Sequence, residues 1–175
     1  MLSSADDYPI HQSPEPIANA GHSQNFYDRY FFNGYDTEGD GFFALGMGVY
    51  PHVDVIGAGF SLIRNGVQHD FLCSRALGME RMDTNVGNIQ VEVIEPLQSL
   101  RLRIDAPEHV IEADLLFSGR APAQEEPRFT RRLGSRLFMD YTRLTQNGHW
   151  EGWIKHQGER IEVAPLRWLG TRDRS

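Results

Sequence analysis

An acidic run between two predicted strands is the part of the sequence that comes closest to a metal-binding motif. Residues 36–41 read DTEGDG, with acidic groups at alternate positions and glycine at the sixth, as at the start of a calcium loop. Such a loop needs a bidentate carboxylate at its twelfth position, and Met47 stands there. The run therefore predicts an acidic hairpin turn rather than a calcium site.

The histidines are scattered. No two have the i, i+2 spacing on a strand or the i, i+4 spacing on a helix that would let them share an ion, so we predict no metal and no cofactor. His52 is the best placed for function, because it follows Tyr50-Pro51 at a predicted strand end, and strand ends form the mouth of a barrel. The seven are His11, His22, His52, His69, His109, His149 and His156.

Two side chains that can act as nucleophiles lack the surroundings that activate them. Cys73 shares the parity of Phe71 and Leu77 on a predicted strand, which predicts a buried, unreactive thiol. Ser61 stands in GFSLI and not in a G-x-S-x-G elbow. The sequence thus favours neither Cys–His catalysis nor a serine hydrolase.

Glycine and aromatic residues are the better indicators of a ligand-binding site in this sequence. Four strand glycines fit no phosphate-binding motif; such residues relieve curvature or let a ligand approach the backbone. They are Gly46, Gly48, Gly57 and Gly59. Most aromatic residues are predicted to form the core, but a barrel of about eight strands can hold one small ligand. The candidate ligand-binding residues are Tyr35, Tyr50, His52 and Trp153.

Composition limits the class of protein. Apolar residues make up 40% of the 175 and charged residues 23%, as in an ordinary folded domain. The formal charge of −7 argues against nucleic acid, whose binding needs clustered Lys and Arg. With one cysteine, no apolar run of about 20 residues and no signal-peptide pattern, we predict a cytoplasmic protein without a membrane span.

Alternating apolar residues predict antiparallel strands. The clearest pattern, over residues 88–118, predicts a three-stranded meander whose inward set is Ile89, Val91, Val93, Leu100, Leu102, Ile104, Leu115 and Phe117. Tight hairpin turns are predicted at Asn65-Gly66, Asn147-Gly148 and Gln157-Gly158. Over residues 129–137, apolar residues at i, i+4 and i+8 lie among arginines, leaving a short amphipathic helix and a solvated basic loop as alternatives.

The spacing of these turns predicts an all-β fold, an antiparallel lipocalin-like barrel or strongly curved sheet with at most one short helix. Residues 1–24, which are polar and contain Pro9, Pro14 and Pro16, are predicted to form an extended leader. Residues 25–175 are predicted to form the β domain. The abrupt end at Ser175 predicts the N-terminal lobe of a longer protein.

Two segments carry a family resemblance. NFYDRYFFNGY (residues 25–35) and GTRDRS (residues 170–175) resemble the first lobe of uncharacterised bacterial proteins that are similar in plan to the carotenoid 1,2-hydratase group of two-lobed lipocalin-like proteins. The resemblance covers residues 25–175. It implies two packed barrels, a ligand site in or between them and, in some members, hydration of an isolated double bond or rearrangement of a terpenoid or polyketide skeleton.

The resemblance also implies a catalytic role for Asp173, because the group has an Asp-containing segment just after the first lobe. Here Asp173 lies between Arg172 and Arg174, where the hydratases have aromatic and histidine neighbours. Two arginines keep an aspartate ionised. The context therefore favours a structural ion pair over an acid that protonates an alkene.

Three functions remain open. The first is binding of a hydrophobic small molecule, such as an isoprenoid, steroid or acyl chain, by a lobe that does no chemistry alone and pairs with a second lobe or a second copy. The alternative is part of a cofactor-independent hydratase, isomerase or cyclase for an isoprenoid-like or polyketide-like substrate, with its site between two lobes. The third is an interaction domain whose barrel is filled with side chains.

Overall fold

The computed structural model describes residues 2–10, 24–39 and 41–175. Within these ranges there are three short 3-10 turns, at Ser4–Asp7, Pro51–Val53 and Pro107–His109, and none of them has the length or apolar character of a membrane-crossing helix. The strands are β1 (Asp28–Asp36), β2 (Gly41–Tyr50), β3 (Val55–Arg64), β4 (Val67–Ala76), β5 (Asn85–Val86), β6 (Ile89–Glu95), β7 (Ser99–Ala106), β8 (Ile111–Gly119), β9 (Gln124–Glu125), β10 (Phe129–Leu133), β11 (Arg136–Tyr141), β12 (Leu144–His156), β13 (Glu159–Val163) and β14 (Trp168–Arg174).

One antiparallel sheet forms most of the domain. Its order is β4-β3-β2-β1-β14-β12-β8-β7-β6-β5, with β9 and β13 paired to β12. The sheet curls until β5 and β6 contact β3, and the Cys73 thiol on β4 donates to the Val86 carbonyl on β5 at 2.9 Å. This nearly closed barrel confirms the all-β, lipocalin-like prediction.

The predicted meander is present as β6, β7 and β8. Val91 pairs with Leu102, which pairs with Leu115, and all three are buried. The remaining predicted inward residues are buried too, except Val93, which is partly buried against the core. On the wet face, the Arg103 and Glu92 side chains form an ion pair at 2.7 Å.

Two of the three predicted turns are confirmed. Asn65-Gly66 joins β3 to β4 and Gln157-Gly158 joins β12 to β13, with positive φ at all four residues. The Asn147-Gly148 prediction was wrong, because both residues lie inside β12. Gly148 faces the Phe117 ring so closely that a Cβ atom there would collide with it. This glycine permits side-chain packing rather than a turn.

The basic segment forms neither predicted alternative. β10 and β11 pair with each other as a separate two-stranded hairpin, with Gly134 at positive φ in the turn. Both strands are almost entirely exposed. The Arg128 Nε donates to Asp140 Oδ1 at 2.6 Å and ties the ends of the hairpin together.

Part of the predicted leader is packed against the barrel. Asp7 and Ile10 are buried; Asp7 forms an ion pair with the fully buried Arg172, and the Ile10 amide donates to Asp28 Oδ2 at 2.6 Å. The physical reason is that a buried guanidinium needs a carboxylate partner. Residues 11–23, including Pro14 and Pro16, lie outside the described residues, and the boundary at residue 24 stays a prediction.

Candidate functional site

Large side chains fill the interior of the barrel. The Trp150 indole packs edge-on against the rings of Phe43 and Phe117, with centroids 5.0 and 5.2 Å away, and its Nε1 donates to the Asn33 carbonyl at 2.9 Å. A cross-strand row of glycines makes room for these rings and consists of Gly34, Gly170 and Gly148. The aromatic residues at these positions pack together as part of the core.

A groove of about 450 Å³ lies instead on the outer face of β1–β4. Its floor is made by two cross-strand glycine pairs, Gly46 with Gly59 and Gly48 with Gly57. A Cβ atom at Gly46 would meet nothing within 4 Å, so the backbone there is open to a bound molecule. The volume lies within the range of about 300–1,000 Å³ that is typical of ligand pockets.

Apolar and aromatic side chains border this groove. Tyr50, 40% exposed, lies over Gly48, and Leu72, 85% exposed, lies over Gly59. Tyr27 extends the aromatic edge, with its ring centroid 6.1 Å from that of Tyr50. These groups offer flat apolar contact area, and the tyrosine hydroxyls add polar ends.

A charged pair lies at one edge of the same groove. The Arg29 guanidinium lines it and forms an ion pair with Asp173 at 3.2 Å. Asp173 therefore pairs with an arginine, but not with its sequence neighbours. Alternation along β14 points Arg172 and Arg174 into the barrel and Asp173 to the outer face.

The other predicted site residues lie elsewhere. Tyr35 is exposed on the outer face of β1, near the end of the strand opposite Arg29. Trp153 lies on the outer face of β12 with the Arg160 guanidinium over its ring at 4.7 Å. His52 is exposed in the turn Pro51–Val53 after β2. Of the predicted set, the structure brings only Tyr50 and Asp173 to the groove, and their roles stay predictions.

Two residues of the acidic run have arginine partners. Asp36 is buried and forms an ion pair with Arg167 at 2.5 Å, and Glu38 pairs with the same arginine at 3.0 Å. Asp40 lies outside the described residues. Among the residues that are described, no three His, Cys, Asp or Glu side chains are grouped to hold a metal ion. The contacts are those of a closed acidic turn.

Cys73 is half-buried, and burial raises the pKa of its thiol. Its Sγ is also engaged with the Val86 carbonyl. A thiol with a raised pKa is a poor nucleophile at neutral pH. Cys73 therefore closes the seam between β4 and β5 and does not belong to a nucleophilic site.

A second cleft, of about 350 Å³, lies at one end of the barrel. The rings of His69 on β4 and His156 on β12 meet there with centroids 4.3 Å apart. Arg64 lines the cleft and pairs with Glu159 at 2.9 Å. Sequence reasoning missed this pair, because it searched for histidines at short spacing and these two come from different hairpins.

The fold is similar to parts of two solved structures. The structure of kievitone hydratase from Nectria haematococca is similar with a TM-score of 0.60 and 12% sequence identity, over 84% of this chain and 47% of that one. The structure of CghA is similar with a TM-score of 0.49 and 11% identity, over 85% of this chain and 45% of that one. This chain thus spans about half the length of each. The similarity to kievitone hydratase confirms the predicted fold of one such lobe.

No curated protein matches the chain by sequence. One family does match, over residues 2–175, and it is described as a family of unknown function, DUF8625. The match includes the N-terminal residues that pack against the barrel as well as the last strand. The chain belongs to the family of unknown function DUF8625.

Proposed function

We propose that this chain is a binding lobe that holds a hydrophobic small molecule, of the isoprenoid, steroid or acyl type, in the outer groove of β1–β4. The observation that carries the proposal is the glycine floor. Four glycines in two adjacent cross-strand pairs give the floor no side chains of its own; Tyr50 and Leu72 cover Gly48 and Gly59, and the backbone at Gly46 stays open. Strand glycines weaken a sheet unless something else uses the space.

The borders of the groove suit an apolar body with one polar end. Tyr50 and Leu72 provide contact area over the floor, and Arg29 provides hydrogen-bond donors at its edge. A leucine that is 85% exposed beside an exposed tyrosine has apolar surface that a ligand would remove from water. Burial of apolar surface contributes roughly 25 cal/mol per Å².

The groove is open to solvent along one side, so one lobe encloses only part of a ligand. We propose that a second lipocalin-like lobe, or a second copy of the chain, covers the open side. Support comes from kievitone hydratase, of which this fold covers 47%. Closing the groove in this way would exclude water and increase the contact area of the ligand.

A second candidate function is part of a cofactor-independent hydratase, isomerase or cyclase with its site between two lobes. The observation that favours it is the position of Asp173, whose carboxylate contacts an arginine that lines the groove. An acid that protonates an alkene must present a neutral carboxyl group to it. Asp173 is engaged in an ion pair instead, so we keep binding as the primary function.

The variant Gly46→Leu tests the binding function. The site tolerates the added side chain, because the first carbon meets nothing within 4 Å, yet the side chain would occupy the groove. With the neutral hydrophobic dye Nile red as the probe, we expect the dissociation constant to increase at least about tenfold, equivalent to about 1.4 kcal/mol.

Asn147→Leu is the matched control, because it adds the same side chain at an exposed position of β12 away from the groove. It should leave dye affinity unchanged. The proposal is wrong if both variants bind the dye as the unmodified chain does while remaining folded by circular dichroism.

A further inference from the structure

The cleft at the end of the barrel is a polar site separate from the outer groove. It lies between the turns of the β3–β4 and β12–β13 hairpins, and no residue lines both the cleft and the groove. Val67 is its one apolar lining residue. The cleft therefore suits a small polar group rather than a hydrocarbon body.

His156 is the most deeply buried polar residue of the cleft. Its side chain is 5% exposed, and among the described residues its buried Nε2 has no hydrogen-bond partner. Buried polar atoms in native proteins nearly always have a partner, so this nitrogen calls for an explanation. His156 lines the cleft, and a small rotation of its ring would present this nitrogen to a molecule bound there.

The charges around the cleft indicate the class of ligand. The Arg64 guanidinium contacts Glu159 through Nη1 and carries further N–H donors in a planar fork that matches a carboxylate. His69 adds a second imidazole beside His156. Glu159 is the one acidic lining residue, and its side chain is 72% exposed at the rim, where it can rotate away.

We propose that this cleft is a binding site for a small carboxylate, which accepts hydrogen bonds from Arg64 and from Nε2 of His156. A metal ion fits less well, because the arginine repels a cation.

Binding should be coupled to a proton. Burial, followed by the charges of His69 and Arg64, lowers the pKa of His156, and Glu159 opposes them; the residue of β8 that pairs with His156 is the apolar Ile111. The free cleft therefore holds a neutral imidazole at neutral pH. A carboxylate stabilises the imidazolium, so binding favours proton uptake by His156, and affinity falls as the pH increases above the pKa of that residue.

The test is NMR of the full chain labelled in its histidine rings, titrated with sodium benzoate at about pH 6, 7 and 8. Benzamide, a neutral molecule of the same shape, is the reference. We expect a saturable shift of the His156 signals with benzoate and none with benzamide. The dissociation constant should increase between the two higher pH values.

Variants separate the two contacts. His156→Gln should abolish the pH dependence, Arg64→Gln should weaken benzoate at least fivefold at every pH, and the control His149→Gln, outside the cleft, should change neither. Equal shifts with benzoate and benzamide, or no saturable shift of His156, would overturn the proposal. Because Nile red in the outer groove is a separate measurement, either proposal can fail without the other.

Discussion

Replacing Asp7 by alanine tests whether residues 2–10 belong to the fold. The Asp7 and Arg172 side chains form a fully buried ion pair, and the Asp7 carboxylate also accepts the Leu97 amide. Arg172 Nε donates to Gln146 Oε1 at 2.8 Å. The variant therefore leaves a buried arginine charge with an amide oxygen and the face of the Phe117 ring, 5.8 Å away, but without a carboxylate.

The magnitude follows from that burial. Removing one partner of a buried ion pair costs about 3–5 kcal/mol, because the other charge stays out of water without compensation. A domain of this size loses roughly 2–4 °C in Tm per kcal/mol, so we expect Tm to fall by about 6–20 °C. If residues 2–10 did not pack against the barrel, the effect would stay within about 0.5 kcal/mol.

Urea unfolding followed by tryptophan fluorescence measures the difference in the free energy of unfolding between the variant and the unmodified chain. The slope of that free energy against urea concentration also reports whether the two unfolded states are comparable. The matched control is Glu112→Ala, which deletes a carboxylate from an ion pair with Lys155 at 2.8 Å whose side chains are 40% and 43% exposed. That control should lose less than about 1 kcal/mol. Equal, small losses in both variants would refute the packed N-terminal segment.

Three further predictions concern packing, pH and the hairpin. Gly170→Ala should lower the free energy of unfolding in urea by at least about 2 kcal/mol, because its Cβ atom would approach Trp150 Nε1 to 2.5 Å. The control Gly46→Ala should change it by less than about 0.5 kcal/mol. Equal losses in the two variants would contradict close packing of the Trp150 ring against the glycine row. Since the pKa of His156 is lowered from 6.5 in the folded chain, the free energy of unfolding should hold above that value and fall as pH decreases below it; His156→Gln should remove this component in pH-dependent urea titrations. Replacing the exposed residues 129–141 by a short Gly-Ser linker should leave Tm within about 2 °C by calorimetry, and a larger loss would show that the hairpin supports the barrel.

The sequence predicted the fold best where one face of a strand is exposed to solvent. Val91, Leu102 and Leu115 lie on three strands in which apolar and polar residues alternate, so position along the strand was enough to assign each side chain to a face. The observed register agrees. The Asn147-Gly148 dipeptide misled because its local signal is that of a turn. Only the contact between Gly148 and the Phe117 ring explains why the chain continues straight there.

The candidate sites were harder to predict, because they are made by residues far apart in the chain. The arginines beside Asp173 were expected to be its partners, but period-2 alternation turns Arg172 and Arg174 to the other face. Their partners, Asp7 and Asp28, lie 165 and 146 positions away. Pairing across a curved sheet, rather than spacing along the chain, decides which charges meet.

The histidine cleft and the groove are two further sites that spacing along the chain does not predict. His69 and His156 meet because the curled sheet brings β4 and β12 together at one end of the barrel. A rule based on spacing along the chain does not detect such a contact. Gly46 and Gly57 were recognised as strand glycines that either relieve curvature or let a ligand approach the backbone. Their joint position on one outer patch appears only when β2 and β3 are paired in register.

The most direct test of the ligand-binding groove is photo-crosslinking of the full chain with a neutral isoprenoid alcohol that carries a diazirine, followed by peptide mass spectrometry. The groove predicts saturable labelling of peptides containing Tyr50 and Leu72, suppressed in Gly46→Leu and retained in Asn147→Leu. Labelling that does not saturate, or that is confined to peptides outside β1–β4, would contradict a ligand site over the glycine floor.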